Sequence, residues 1–302
     1  ADAITKITKY GTTNSINDSY VGKTYGEICG YKDDRLYQKE DVEYDANGNF
    51  ILITSPDGYN NVHKLAGANP VYQGRLQGGN FRFGPGDVKF KDLNGDGVIS
   101  PGNSLIRDLN GNPDHGDLSI IGNSTPRYEY SLRAGLDFKG IDFSVFMQGV
   151  GKRDIWGNGF LALPGFNSAD GAMPQAIAGN FWREDRVDAF YPRPYNLGGS
   201  NTGYNMQVSD RYLLNMAYLR IKNITLGYTL PERLMSKVKI KKLRVYVALE
   251  NFFTFDHLGD LPIDPEEISG YSMWNTSNYN LGRTGVGVPT FKSASVGLQV
   301  NF

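Results

Sequence analysis

Five segments of this 302-residue chain alternate apolar and polar side chains with a period of two, which is the pattern of β-strands that present one apolar face. They span 127–138, 141–148, 217–230, 243–250 and 293–302, and a weaker sixth candidate spans 4–10. Within 217–230 the apolar positions change from odd to even numbers, which predicts a β-bulge near Asn223. The chain is therefore predicted to be all-β.

Composition supports this fold class. The chain has 37 Gly, 19 Tyr and 16 Phe, which suits strands joined by long loops with many turns. Cys29 is alone, so it forms no internal disulfide, and a net charge of −1 gives no reason to expect a nucleic-acid partner. No run of about 18 apolar residues predicts a membrane helix, but barrel strands escape such a test because only one face is apolar.

The connections between the strands sort into short and long ones that alternate. Lys139-Gly140 is a two-residue hairpin turn and 231–242 is a short link, whereas the long loops span about 11–126, 151–212 and 254–289. If the strands run up and down, every long loop lies at one end, as in bacterial outer-membrane barrels with long extracellular loops. About six strands are too few to close such a barrel. Residues 1–302 are therefore expected to be part of a larger antiparallel transmembrane β-barrel.

Several motifs match one family in order along the chain. They are 22–32 (GKTYGEICGYK), 92–99 (DLNGDGVI), 121–128 (IGNSTPRY), 141–149 (IDFSVFMQG), 218–231 (YLRIKNITLGYTLP) and 250–254 (ENFFT). The ordered series resembles the SusC/RagA family of TonB-linked outer-membrane transporters. The 218–231 motif is the most distinctive of them.

The resemblance implies the C-terminal strands of a barrel of about 22 strands, whose plug domain and N-terminal strands this chain lacks. It implies import of oligosaccharides or peptides across the bacterial outer membrane, together with a SusD-like surface lipoprotein and the TonB complex. It also implies that Phe302, a terminal aromatic residue on the lipid face, belongs to the signal read by the barrel-assembly machinery. No catalytic motif is recognisable, so no enzymatic activity is expected.

One loop has the spacing of a calcium site. Asp92, Asn94 and Asp96 occupy the first, third and fifth positions of an EF-hand-type loop, and the backbone carbonyl of Val98 stands at the seventh. The twelfth position is Asn103 instead of Glu, and Asp108, Asn110, Asp114 or Asp117 are the candidates to replace it. The alternative is a loop of Asx turns, in which the same side chains bond backbone amides. Calcium is the one cofactor that the sequence suggests.

Two further groups of residues are candidates for contact with a ligand. Polar positions opposite the apolar ones are expected to face the barrel lumen, where they contact substrate, a plug domain or water; they are Arg127, Glu129, Arg133, Asp137, Asp142 and Gln148. Aromatic rings in the long loops are expected to stack on substrate or to dock the lid lipoprotein. These rings are Trp156, Phe160, Phe166, Phe181, Trp182, Tyr191, Tyr195, Tyr271 and Trp274.

Two other classes of protein fit parts of the pattern. A secreted calcium-binding β-sandwich for adhesion or glycan binding would use the Asp92 loop as its ion site. A soluble glycan-degrading enzyme would show turnover by the isolated chain. A sandwich predicts that the apolar rows of the strands pack against each other, whereas a barrel predicts that they face lipid.

Overall fold

Strands dominate the computed structural model, which describes residues 24–103, 114–157, 175, 178–195, 204–235, 237, 239–266 and 290–302. In these ranges the α-helical structure is one turn, Glu232–Met235, and no described helix has the length and apolar character needed to cross a membrane. The weak strand candidate at 4–10 lies outside the described residues. The all-β prediction is confirmed for the described part of the chain.

The strands are numbered in chain order. They are β1 Glu27–Gly30, β2 Asp33–Leu36, β3 Leu52–Ile53, β4 Val62–His63, β5 Val88–Phe90, β6 Ser119–Asn123, β7 Glu129–Phe138, β8 Ile141–Val150, β9 Asp154–Trp156, β10 Leu213–Asn215, β11 Tyr218–Thr229, β12 Lys242–Asp256 and β13 Ser293–Asn301. Short 3-10 turns span Lys39–Asp41, Gly74–Leu76, Tyr204–Met206 and Asp210–Tyr212.

The five long strands form one antiparallel sheet in the order β13-β12-β11-β8-β7. They coincide with the five alternating segments, except that β12 continues past Glu250 to Asp256. Strands β7 and β13 each pair on one side only within the described residues. Both outer edges of this sheet therefore offer unpaired backbone groups to a further strand.

The turn and the bulge predicted from the sequence are both present. Lys139 and Gly140 join β7 to β8 with φ of 49° and 85°, the left-handed pair that a type I′ hairpin requires. Strand β11 shifts register between Ile221 and Asn223 against both of its neighbours. Lys222 is an extra residue in the ladder with β8, whereas in the ladder with β12 the extra residue lies on β12, where Asn251 and Phe252 stand opposite Lys222. The bulge restores one continuous apolar face along β11.

The long connections fold into a packed unit, which we call the loop module (residues 24–126, 150–157, 180–195 and 204–217, as far as they are described). It contains the two-stranded sheets β1-β6, β2-β5, β3-β4 and β9-β10. A larger hydrophobic cluster surrounds Tyr37, Phe81 and Phe90, and a smaller one surrounds Ile28, Trp156 and Met216. Each such fully buried large side chain stabilises the fold by roughly 1.5–3 kcal/mol.

Candidate functional site: the two faces of the main sheet

One face of the main sheet is polar, because directly opposed residues share a face. Ser131, Gln148, Arg220 and Thr254 form one row across four strands. Further rows join Gly135, Ser144, Thr225, Ala248 and Ser295, and Asp137, Asp142, Gly227, Tyr246 and Gly297. We call this surface the polar face.

The other face is apolar and open. Its rows join Ala134, Val145, Ile224, Leu249 and Ala294, and Leu136, Phe143, Leu226, Val247 and Val296. Val296 is 76% exposed, Leu136 65% and Leu226 53%, so nothing in the described chain covers this apolar face. A contiguous exposed apolar surface of this kind needs a non-aqueous partner.

This pair of faces decides between the two all-β alternatives. A β-sandwich would press the apolar rows against a second sheet, and in the described residues no such sheet lies over them. A transmembrane barrel wall turns its apolar face to lipid and its polar face to the lumen. The geometry is therefore that of a segment of an outer-membrane barrel wall.

Five of the six residues predicted to face the lumen share the polar face. Glu129, Arg133 and Asp137 lie on β7 and are exposed, and Gln148 lies on β8 opposite Ser131. Asp142 accepts hydrogen bonds from Arg244, two strands away. Arg127 precedes β7, where its backbone N–H donates to the carbonyl of Lys152. Contact of these side chains with a ligand stays a prediction.

The most connected cation on the polar face is Arg220, which the sequence analysis did not single out. Its guanidinium donates to Glu266 Oε2 at 2.6 Å and to Asp264 Oδ1 at 2.7 Å, and the side chain is only 5% exposed. Lys222 donates to both Glu266 oxygens at 2.6 and 2.7 Å. Two features of the sequence could have indicated this cluster. They are the positive charges of Arg220 and Lys222 beside the change of phase in β11, and the acidic residues within 264–267.

The loop aromatics that the structure describes are mainly core residues, and their contact with substrate or a lid lipoprotein stays a prediction. Trp182 is 4% exposed in the larger cluster, whereas Trp156 and Tyr191, at 3% and 7%, pack in the smaller one. Phe181 and Tyr195 are partly buried against the same clusters. Their burial follows from the packing of the long loops. Four further candidates, Phe160, Phe166, Tyr271 and Trp274, lie outside the described residues.

The Asp92 loop is held by its own backbone. Asp92 accepts the N–H groups of Gly95 and Gly97 at 2.6 and 2.8 Å, Asn94 accepts that of Asp96, and Asp96 accepts that of Val98. These bonds are those of the Asx-turn alternative. No metal-binding group of three acidic, His or Cys side chains occurs among the described residues. Calcium therefore gains no support.

Asp117, one of the candidates for the missing calcium ligand, has a different role. It is fully buried and accepts the N–H groups of Leu93 and Ser100, one on each side of the Asp92 loop. Burial raises the pKa of Asp117, although these two amide bonds oppose the shift. The carboxylate thus joins the two ends of the loop.

A buried acidic group lies at the centre of the loop module. Asp87 is fully buried and accepts hydrogen bonds from Tyr195 Oη at 2.7 Å, Asn205 Nδ2 at 2.8 Å and the Gly84 N–H at 2.8 Å, with Arg193 at 3.7 Å. Burial raises the pKa of Asp87 to about 6 against the opposing effect of these partners. Asp87 joins segments that are more than 100 residues apart in sequence.

Phe302 follows β13 and is 78% exposed, in phase with Val296, Leu298 and Val300 on the apolar face. Its role as an assembly signal stays a prediction.

No protein-family model matches this chain. It is 30% identical over 234 residues to TonB-dependent receptor P3 of Formosa agariphila, and the match covers 76% of this chain and 21% of the relative. It is 23% identical over 217 residues to TonB-dependent receptor P26 of the same organism, and that match covers 72% of this chain and 20% of the relative. The chain thus spans about a fifth of the length of the curated relatives that it matches.

A structure of the RagAB peptide importer in the closed-closed state has the same fold, with a TM-score of 0.50 and 16% identity over 94% of this chain and 24% of that one. The strands, with one polar and one apolar face, have the fold of a segment of an outer-membrane-type β-barrel wall. The chain is similar to TonB-dependent receptors over most of its own length, and its motifs resemble those of the SusC/RagA group. The relatives are receptors and an importer, not enzymes.

Proposed function

We propose that this chain forms C-terminal wall strands and extracellular loops of a transporter that imports peptides or oligosaccharides across the bacterial outer membrane. The observation that carries the proposal is the open apolar face of the main sheet opposite a polar face. Lipid would cover the first face, and the second would border an aqueous passage. The remaining strands and the plug would come from the rest of the same transporter.

The unpaired edges of β7 and β13 support the need for further strands. An open sheet in lipid would leave backbone groups without hydrogen bonds, and each such group costs several kcal/mol. Closure into a barrel of about 22 strands removes both edges. In the antiparallel order β7-β8-β11-β12-β13 the long connections leave the same end of the wall, which supports an extracellular position for the loop module.

The proposed partners are a SusD-like surface lipoprotein and the TonB complex. The loop module would offer the lipoprotein a packed surface, because its two clusters bury aromatic rings of the long loops. The peptide importer in the comparison supports peptides as one substrate class. TonB would act through the plug.

Gene deletion and complementation test this function. We expect cells that lack the full-length receptor to lose uptake of one class of labelled ligand, either a peptide mixture or an oligosaccharide mixture, and to regain it when the gene is restored. Uptake that is unchanged for both classes would contradict import. Fractionation of the same cells should place the receptor in the outer membrane, and its recovery in the soluble fraction would contradict the barrel.

A further inference from the structure

A short segment after β12 folds back over the polar face. Residues 256–266, which we call the shelf, begin at the end of β12, and Asp264 and Glu266 reach the side chains of Arg220 and Lys222 on β11. Arg220 lies in the polar row that contains Gln148 and Thr254. The shelf therefore lies over the polar face at the end of the sheet next to the loop module.

Charged hydrogen bonds attach the shelf to β11, and they pair the cationic side chains of the strand with the carboxylates of the shelf. Arg220 also donates to Thr254 Oγ1 at 2.9 Å and to Thr290 Oγ1 at 3.3 Å, so β11, β12, the shelf and the segment before β13 meet at one side chain. Burial raises the pKa of Asp264, but hydrogen bonds from Arg220 and the Glu266 N–H outweigh it and leave the pKa lowered. Asp264 is therefore ionised at neutral pH.

The other side of the shelf is apolar. Leu258 and Ile263 are 6% and 7% exposed and pack in the smaller cluster of the loop module with Trp156 and Met216. The shelf is thus held on two sides, by ion pairs to the wall and by apolar packing to the module. A segment with both attachments does not swing freely, since it loses both sets of contacts when it moves.

We propose that Arg220, assisted by Lys222, is a positioning residue that fixes the shelf as an inner rim of the passage and thereby limits the size of ligand that enters. This inference rests on the proposed function, because the polar face must border the passage. Two positive side chains meet two carboxylates here, so the attachment adds no net charge to the passage. The rim would select ligands by size.

The test uses the full-length receptor in the outer membrane and a reporter cysteine, Ile263→Cys, which is shielded while the shelf is attached. Arg220→Met should raise its labelling rate with a membrane-impermeant maleimide about tenfold or more, because removing one partner of a buried ion pair leaves the other charges unpaired. Arg244→Met is the matched control: Arg244 also pairs with an aspartate on the polar face but does not touch the shelf. It should leave labelling unchanged.

The size limit is measured with labelled peptide and oligosaccharide ladders of increasing length. Arg220→Met should extend uptake to longer members. If that variant does not assemble, the paired change Asp264→Asn and Glu266→Gln cuts the same attachment outside the strands. Unchanged labelling in both the Arg220→Met receptor and the Asp264→Asn, Glu266→Gln receptor would contradict the attachment of the shelf. Raised labelling with an unchanged limit on ligand length would contradict the role of the shelf as a rim. If the unaltered receptor imports neither ladder, the proposed function fails, whereas the labelling still tests the attachment.

Discussion

Asp142 and Arg244 are hydrogen bonded to each other although strand β11 runs between their own strands, β8 and β12. Gly227 makes this possible. A Cβ at residue 227 would lie 2.4 and 2.6 Å from the two Asp142 carboxylate oxygens and 2.7 Å from Arg244 Nε. The ion pair thus ties three strands together over a glycine.

Gly227→Ala should therefore weaken the wall. The added methyl group displaces the ion pair, and overpacking of this kind costs about 1–3 kcal/mol. Gly135→Ala is the matched control, because its Cβ would meet only the Phe143 carbonyl oxygen, at 3.5 Å. The temperature at which the assembled receptor loses its folded mobility in gel electrophoresis should fall for the first variant only. Equal temperatures would contradict the role of Gly227.

Adjacent residues on β11 test which face meets lipid. Leu226 lies on the apolar face and Thr225 on the polar face. Leu226→Arg should reduce outer-membrane assembly, since a cation on the lipid face costs about 2–4 kcal/mol at the bilayer midplane. Thr225→Arg should assemble normally. The measurement is the amount of receptor in the outer-membrane fraction, and equal loss for both variants would argue against the assignment of faces.

The raised pKa of Asp87 makes the loop module less stable as the pH rises. It rises from 3.8 to about 6 on folding, so the folded state binds the proton more tightly than the unfolded state. This contribution to stability is complete below pH 3.8 and is lost as the pH rises to about 6, with an amplitude of about 3 kcal/mol.

Asp87→Asn should remove that slope. Hydrogen exchange of the backbone amides of 84–90, corrected for intrinsic rates and followed from pH 4 to pH 7, measures the local stability. Protection should fall with pH in the unaltered receptor and stay level in the variant. A variant that keeps the full slope would assign the pH dependence to another group.

A substitution of Trp182 tests whether this buried ring stabilises the loop module or contacts ligand. It lies against Gly86, where a Cβ would come within 2.5 Å of the Trp182 ring. Trp182→Ala should cost the loop module about 3–5 kcal/mol and increase its digestion by thermolysin. Phe190→Ala, at a ring that is 43% exposed, should change digestion little. If Trp182→Ala loses ligand binding without faster digestion, the ring contacts ligand directly.

The wall could be predicted from the sequence because its determinants are local. A period of two, the Lys139-Gly140 turn and the change of phase near Asn223 each depend on neighbouring residues, and the structure confirms all three. The resemblance to a family indicated that the described strands are part of a larger barrel. Strand β12 was predicted too short because 251–256 contains Asn251, whose φ of 54° interrupts the regular ladder.

The loop module and the shelf could not be predicted because they depend on contacts between distant residues. Trp182 in a long loop carries no periodic signal, so exposure and burial are equally compatible with its sequence context. Arg220 and Asp264 are 44 residues apart, and nothing local indicates that they meet. The Asp92 motif left two interpretations open for a related reason, since oxygens spaced for a cation also suit backbone amides, and the structure shows the bonds to the amides.

Lys222, the extra residue of β11 in its ladder with β8, interrupts the regular strand and makes a contact outside the sheet. Without Lys222, Ile221 and Asn223 would continue the alternation unbroken, and every position of the strand would be committed to lipid or to water. The irregularity frees one long cationic side chain from the ladder, and it reaches Glu266. Deleting Lys222 would thus be expected to make the ladder with β8 regular, to leave Asn251 and Phe252 of β12 without a partner on β11, and to weaken the hold on the segment above the strand.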